Sequence, residues 1–155
     1  MKKISFFFTL LILSAQLFGQ NEVSSEKQKR MQWFEDAKLG IFIHWGIYAV
    51  NGIDESWSFF NNYISYEDYM KQLEGFTAKN YNPEEWADLI AESGAKYAVL
   101  TTKHHDGVAL WDTDCGDLNV VDKTPAGRDL VAPFVNALRE RDLKTLVSVE
   151  IRSEM

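Results

Sequence analysis

A single cysteine, Cys115, stands in 155 residues. No disulfide can close within the chain, so the fold must rest on its core even in an oxidising compartment. Beyond residue 20, no apolar run approaches the roughly 20 residues needed to cross a bilayer. Positive charge is in deficit: 16 Lys and Arg stand against 23 Asp and Glu, a formal net charge of −7. That balance argues against nucleic acid and anionic membrane as partners and suits a neutral substrate. There is no internal repeat and no low-complexity segment. Histidine is scarce, with three residues, and their positions are the most informative feature of the chain.

Apolar and aromatic mass, by contrast, is plentiful. Hydrophobic residues make up 46% and aromatic residues 14% of the chain, enough for the core of one ordinary domain. Tryptophan and tyrosine in such numbers line sugar or ligand sites in some proteins and fill cores in others. The first 20 residues, "MKKISFFFTLLILSAQLFGQ", join Lys2 and Lys3 to an apolar stretch from Ile4 to Leu13. This is the pattern of a secretory signal peptide cut near Gly19 or Gln20. The expectation is an exported protein, periplasmic or extracellular, with no membrane attachment after cleavage. Residues 21–30, "NEVSSEKQKR", read as a loose polar lead-in, and residues 31–155 as the domain.

Within that domain apolar runs alternate with helical patterns. "LGIFIHWG" (39–46) reads as a strand buried on both faces, because Ile41, Phe42 and Ile43 are continuous. Residues 47–65 form a long loop. "SYEDYMKQLEGF" is a short helix with Ser65 as N-cap and Asp68 three residues on. "NPEEWADLIAESGAKY" has the clearest start signal: Asn82 caps, Pro83 takes the first helical position, and Glu84 and Glu85 face the positive end of the dipole. Trp86, Leu89 and Ile90 make its apolar stripe, and Gly94 is placed to end it. "KYAVLTTK" (96–103) is a second buried strand and "LKTLVSVE" (143–150) a third strand. Between them, "DLVAPFVNALRERD" is a helix whose Pro133 belongs in the first turn.

Strand, helix, strand, helix, strand implies an α/β protein of parallel βαβ units. The loops after the strands are long and chemically rich, and sites in such folds lie at the strands' C-terminal ends. All three histidines fall there: His44 after the first strand, His104 and His105 after the second. Three readings compete. The imidazoles cap strands and loop carbonyls. Or His44, His104, His105 and Asp106 converge on a metal, although successive strand residues point to opposite faces and a bend would be needed. Or neutral imidazoles, which both donate and accept, hold a hydroxyl-rich neutral substrate stacked on Trp45, Trp57 or Trp111.

"LGIFIHWGIYAV", "NYNPEEWADLIAESGAKYAVLTTKHHDGVALWDT" and the "AGRDLV" run with its later "FV" and "ALR" closely resemble α-L-fucosidases of glycoside hydrolase family 29. The resemblance covers about Met31 to Val149. It implies the first three strands of a (β/α)8 TIM-like barrel, here incomplete, and removal of terminal α-L-fucose with retention of configuration. His44, His104 and His105 match family histidines that hydrogen-bond fucose hydroxyls. Trp111 matches a tryptophan near the pocket. The family's adjacent Glu-Trp pair corresponds to "DESWSFF", in which Ser56 separates Glu55 from Trp57. The implied substrate-binding set is therefore His44, Glu55, Trp57, His104, His105 and Trp111, with a fucosylated oligosaccharide or glycoconjugate as partner.

The resemblance implies no cofactor and no metal. Retaining glycosidases need a nucleophile and an acid/base about 5 Å apart. In the family both lie after later strands, so no catalytic residue is expected within this chain, which reads as the front of a longer enzyme. Asp106, Asp112 and Asp114 read as loop-turn acceptors. Two alternatives stand beside the enzyme: a non-catalytic fucose-binding module, and a metal-dependent hydrolase using His44, His104 and His105. Three parallel strands alone would also leave "LKTLVSV" as an open, aggregation-prone edge.

Overall fold

The computed structural model describes residues 25–150. The signal-peptide reading of residues 1–20 lies outside the described residues. Contacts divide the chain into two units, with the boundary between Lys38 and Leu39.

In the first unit the described residues form one helix, α1 (25–37). Where the sequence reads as a loose lead-in, residues 25–30 are thus already helical. The reason is propensity: Glu26, Lys27, Gln28, Lys29, Arg30 and Met31 are all good helix formers. Gln32 donates from Nε2 to Asp36 Oδ1 at 3.2 Å, one turn along. Most α1 side chains are exposed.

The second unit holds β1 (Gly40–Ile43), α2 (Trp57–Phe60), α3 (Tyr66–Met70), α4 (Pro83–Glu92), β2 (Tyr97–Lys103), α5 (Val120–Lys123), α6 (Val131–Arg139) and β3 (Lys144–Val149). The strands form a parallel sheet in the order β1-β2-β3. Ile41 lies opposite Ala98 and Ile43 opposite Leu100. These four residues face the two crossover helices, whose Ala87, Ile90, Phe134, Ala137 and Leu138 complete a core with Leu143.

The helix starts reflect the local chemistry. Ser65 Oγ accepts from Asp68 N at 3.0 Å, and Asn82 Oδ1 from Glu85 N at 3.3 Å, with Pro83 opening α4. Gly94 ends α4 at φ +83°, a conformation that penalises a Cβ. Pro133 is the third residue of α6, where its missing N–H leaves no gap in the helix ladder. Asp129 Oδ1 instead collects the N–H groups of Val131 and Ala132, at 2.7 and 2.9 Å.

Two expectations need correction. β1 is not buried on both faces: Phe42 is 56% exposed. The helices cover one face of the sheet, and Phe42, opposite Val99 and Leu146, belongs to the other. On that face the Tyr97 ring lies across Gly40, so close that a Cβ on Gly40 would fall 2.1 Å from it. In α4 the apolar stripe is Trp86, Ala87 and Ile90, while Leu89 points outward at 60% exposure. Central β2 is the buried strand; on β3, Val147 and Val149 are each 53% exposed.

A second core lies among the loops. Ile47, Tyr48, Phe59, Tyr69, Phe76, Val108, Leu110, Val120 and Leu130 pack together there. The long connections are therefore folded rather than loose, and they form a rigid setting beside the strand ends. Among the described residues, no helix is long and apolar enough to cross a membrane.

Candidate functional site

His44 comes directly after β1 and keeps to the face of Phe42, with ring centroids 4.9 Å apart. His104 and His105 come after β2. Adjacent residues of a continuing strand would diverge, but β2 ends at Lys103, after a register irregularity between Thr101 and Lys103. Residues 104–107 then turn: Gly107 N donates to His104 O at 2.9 Å, with Gly107 at φ +88°. This is the bend that convergence requires. The rings of His104 and His105 lie 5.2 Å apart, and those of His44 and His104 5.7 Å apart.

Asp106 builds that turn. Its Oδ1 accepts from Val108 N and its Oδ2 from the Tyr69 hydroxyl, both at 2.9 Å. Its carbonyl accepts from the Tyr66 hydroxyl at 3.1 Å. Burial pushes its carboxyl above the usual aspartate range despite these donors. Asp106 thus anchors the histidine turn to α3. Asp112 and Asp114 lie on an exposed loop.

Carboxylates alternate with the imidazoles. Glu55 Oε1 is 3.5 Å from His44 Nδ1, and its Oε2 is 3.8 Å from His104 Nε2. Glu150 Oε2 is 3.5 Å from His104 Nε2 and 2.9 Å from His105 Nε2. The arrangement runs His44, Glu55, His104, Glu150, His105. His104 is buried at its centre, while His44 and His105 are open to solvent.

Ser56, the residue that separates Glu55 from Trp57, is buried and hydrogen-bonds His104 Nδ1 through Oγ. It fixes the plane of the imidazole and leaves Nε2 facing the two glutamates. Burial holds the His104 pKa below the ordinary histidine value; Glu150, Asp106 and Glu55 pull the other way without cancelling it. The ring is therefore neutral at pH 7.

The tryptophans separate. Trp57 is 53% exposed and stands edge-on to Phe60. With Tyr48, Asp54, Glu55, Asn61 and Tyr63 it lines an open concavity. Trp111 is half-buried and does not line that concavity. Trp45 alternates with His44 and turns the other way, stacking on Tyr81 at 5.1 Å and packing against Trp86 and Phe76.

Two members of the site escape the sequence pattern. Glu150 sits just past β3, its N–H bonded to Lys103 O at 2.9 Å; its place at a strand's C-terminal end is a usable signal. Tyr48 is 5% exposed, its ring edge-on to His104. Its hydroxyl is buried without a hydrogen-bond partner. Burial, aided by Glu55, Asp106 and Glu150, pushes its ionisation far above the usual phenol range, so it stays an O–H donor. As for a metal, ligand atoms of His44, His104 and Glu150 all lie within 4.8 Å of one another. A cleft of imidazoles, carboxylates, a spare hydroxyl and an exposed indole can donate to, accept from and stack on a small polyol.

The sequence model described as alpha-L-fucosidase matches residues 8–153. The human tissue alpha-L-fucosidase is 40% identical over 131 residues, covering 72% of this chain and 27% of that protein. Among solved structures, alpha-L-fucosidase isoenzyme 1 from Paenibacillus thiaminolyticus superposes with a TM-score of 0.71 at 42% identity, over 77% of this chain and 28% of that one. Thermotoga maritima alpha-fucosidase in complex with fucose does so with a TM-score of 0.63 at 41% identity, over 74% and 33%. The chain thus spans about a third or less of the length of these relatives.

Proposed function

The chain belongs to the α-L-fucosidase family, and from that premise we propose that its strand-end cleft binds the terminal α-L-fucose of a glycan. The observation that carries this reading is the convergence of His44, His104 and His105, from two different strand ends, with Glu55 and the exposed Trp57. Neutral imidazoles suit hydroxyls because each ring offers one donor and one acceptor. Trp57 offers an apolar face to a sugar ring, and the unpartnered Tyr48 hydroxyl adds a donor. The related Thermotoga maritima enzyme has been solved with fucose, which supports the ligand class.

The reaction served is hydrolysis of the fucosidic bond with retention, which uses two carboxyl groups about 5 Å apart. We assign neither role to a residue in 25–150. Glu55 and Glu150 stand beside histidines, and Asp106 is hydrogen-bonded to Tyr69 and Val108. This chain then supplies recognition rather than bond cleavage. The leader-like residues 1–20 support an exported protein.

The test is titration of the purified chain with L-fucose in chelator-treated buffer, monitored by tryptophan fluorescence. Saturable binding, weakened at least tenfold in His44→Ala, is expected, with no release of nitrophenol from an aryl α-L-fucoside. A folded chain that shows no saturation with L-fucose defeats the reading, and steady turnover defeats the division of labour.

A further inference from the structure

The alternation of imidazole and carboxylate has a consequence beyond sugar binding. Glu150 Oε2 is buried and has no hydrogen-bond partner. His104 Nε2 at 3.5 Å and His105 Nε2 at 2.9 Å stand near it without hydrogen-bond alignment. A carboxylate oxygen removed from water needs a positive partner. Among the described residues no Lys or Arg pairs with this oxygen.

From this we propose that His44, His104 and Glu150 form a binding site for a divalent cation of the zinc class. Their ligand atoms lie within 4.8 Å of one another. Zinc takes nitrogen and carboxylate oxygen at about 2.0–2.2 Å, so neighbouring ligands of a tetrahedral ion stand roughly 3.4 Å apart. The widest pair must close by up to about 1.4 Å to reach that spacing. It has the freedom to do so: the side chains of His44 and Glu150 are 40% and 26% exposed. His104 is the fixed point. Ser56 engages its Nδ1, which leaves Nε2 as the ligand atom and supplies the outer hydrogen bond that orients a ligating imidazole.

Two imidazoles and one carboxylate favour zinc over calcium or magnesium, which prefer all-oxygen shells. Three protein ligands leave one position open, within reach of Glu55 or His105. A bound ion there would compete with a sugar for the same imidazoles. Zinc binding stands or falls independently of the fucose reading, because metal alone is the probe.

The experiment is calorimetric titration of the metal-stripped whole chain with Zn2+, paired with Co2+ absorption in the visible. One ion per chain is expected, with the intense Co2+ bands of a four-coordinate site. His44→Ala and Glu150→Gln should each weaken Zn2+ binding at least tenfold, with unchanged circular dichroism. Cys115→Ser, at the exposed free thiol, should leave it intact. Ca2+ and Mg2+ should not displace Zn2+. Absence of stoichiometric binding by the wild-type chain overturns the site, as does equal affinity in both variants or loss in Cys115→Ser.

Discussion

Between the sheet and its two helices the core is built of Ala87, Ala95, Ala98, Ala137, Ile90, Leu100, Phe134, Leu138 and Leu143. Among the loops at the strand ends, apolar residues share burial with Ser56, Gln72, His104, Asp106 and Asn119. The two regions are comparably dry but differ in what burial demands. The lower core needs only volume and complementarity. The upper one must also find partners for the donors and acceptors it removes from water, and it leaves the Tyr48 hydroxyl without one. Cohesion is assigned to one region and chemistry to the other, so perturbations of the two should differ in kind.

The largest effect is expected in the lower core. Phe134 is 0% exposed and sits where α6 meets the sheet. Phe134→Ala should remove about 3–5 kcal/mol of stability, read as the midpoint and slope of urea unfolding. An unchanged midpoint would mean that α6 does not hold the sheet. A smaller loss, about 2 kcal/mol, is expected for Asp106→Ala. It leaves the Tyr69 hydroxyl and Val108 N–H without their acceptor. It should also release the histidine turn, so sugar or metal binding falls by more than stability does. Loss of stability with site affinity intact would contradict the anchoring role of Asp106.

The same contrast explains how much of the molecule is legible in its sequence. The lower region announces itself locally. Asn82-Pro83 opens α4, Gly94 takes the left-handed conformation, and the strand-helix alternation gives the parallel sheet. What escapes there is tertiary: no local pattern says that helices cover only one face of β1, so the exposure of Phe42 cannot be read from its neighbours. The histidine cluster is legible from position alone, because all three histidines come after strands. Its geometry is not. The objection from strand alternation is sound for a strand, but the chain turns at residues 104–107. Ser56 reads as an interruption of a Glu-Trp pair and is instead the clamp on His104. Trp45 reads as a ring face for ligand and is core, because it alternates with His44. The loop core has no period, so nothing short of the fold could announce Tyr48 or Val120 as buried.

The smallest of these effects, and the sharpest separator of the two regions, is a dependence on pH. Burial lowers the His104 pKa below its ordinary value of 6.5, so on acidification the unfolded chain takes up that proton before the folded one does. Between the folded pKa and 6.5 the unfolded state holds more protons, and stability rises with pH across that window. Asp106 acts oppositely and lower. Its pKa is raised above 3.8, so its contribution falls as pH rises from 3.8 through the folded value. As pH drops through 6.5 the urea midpoint should therefore fall, and His104→Asn should remove most of that slope. Ile90→Val, which trims the apolar core alone, should lower the midpoint by a similar amount at every pH, about 1 kcal/mol. If the His104 variant keeps the slope, or the Ile90 variant changes it, the two cores are not divided between chemistry and cohesion in the way their composition implies.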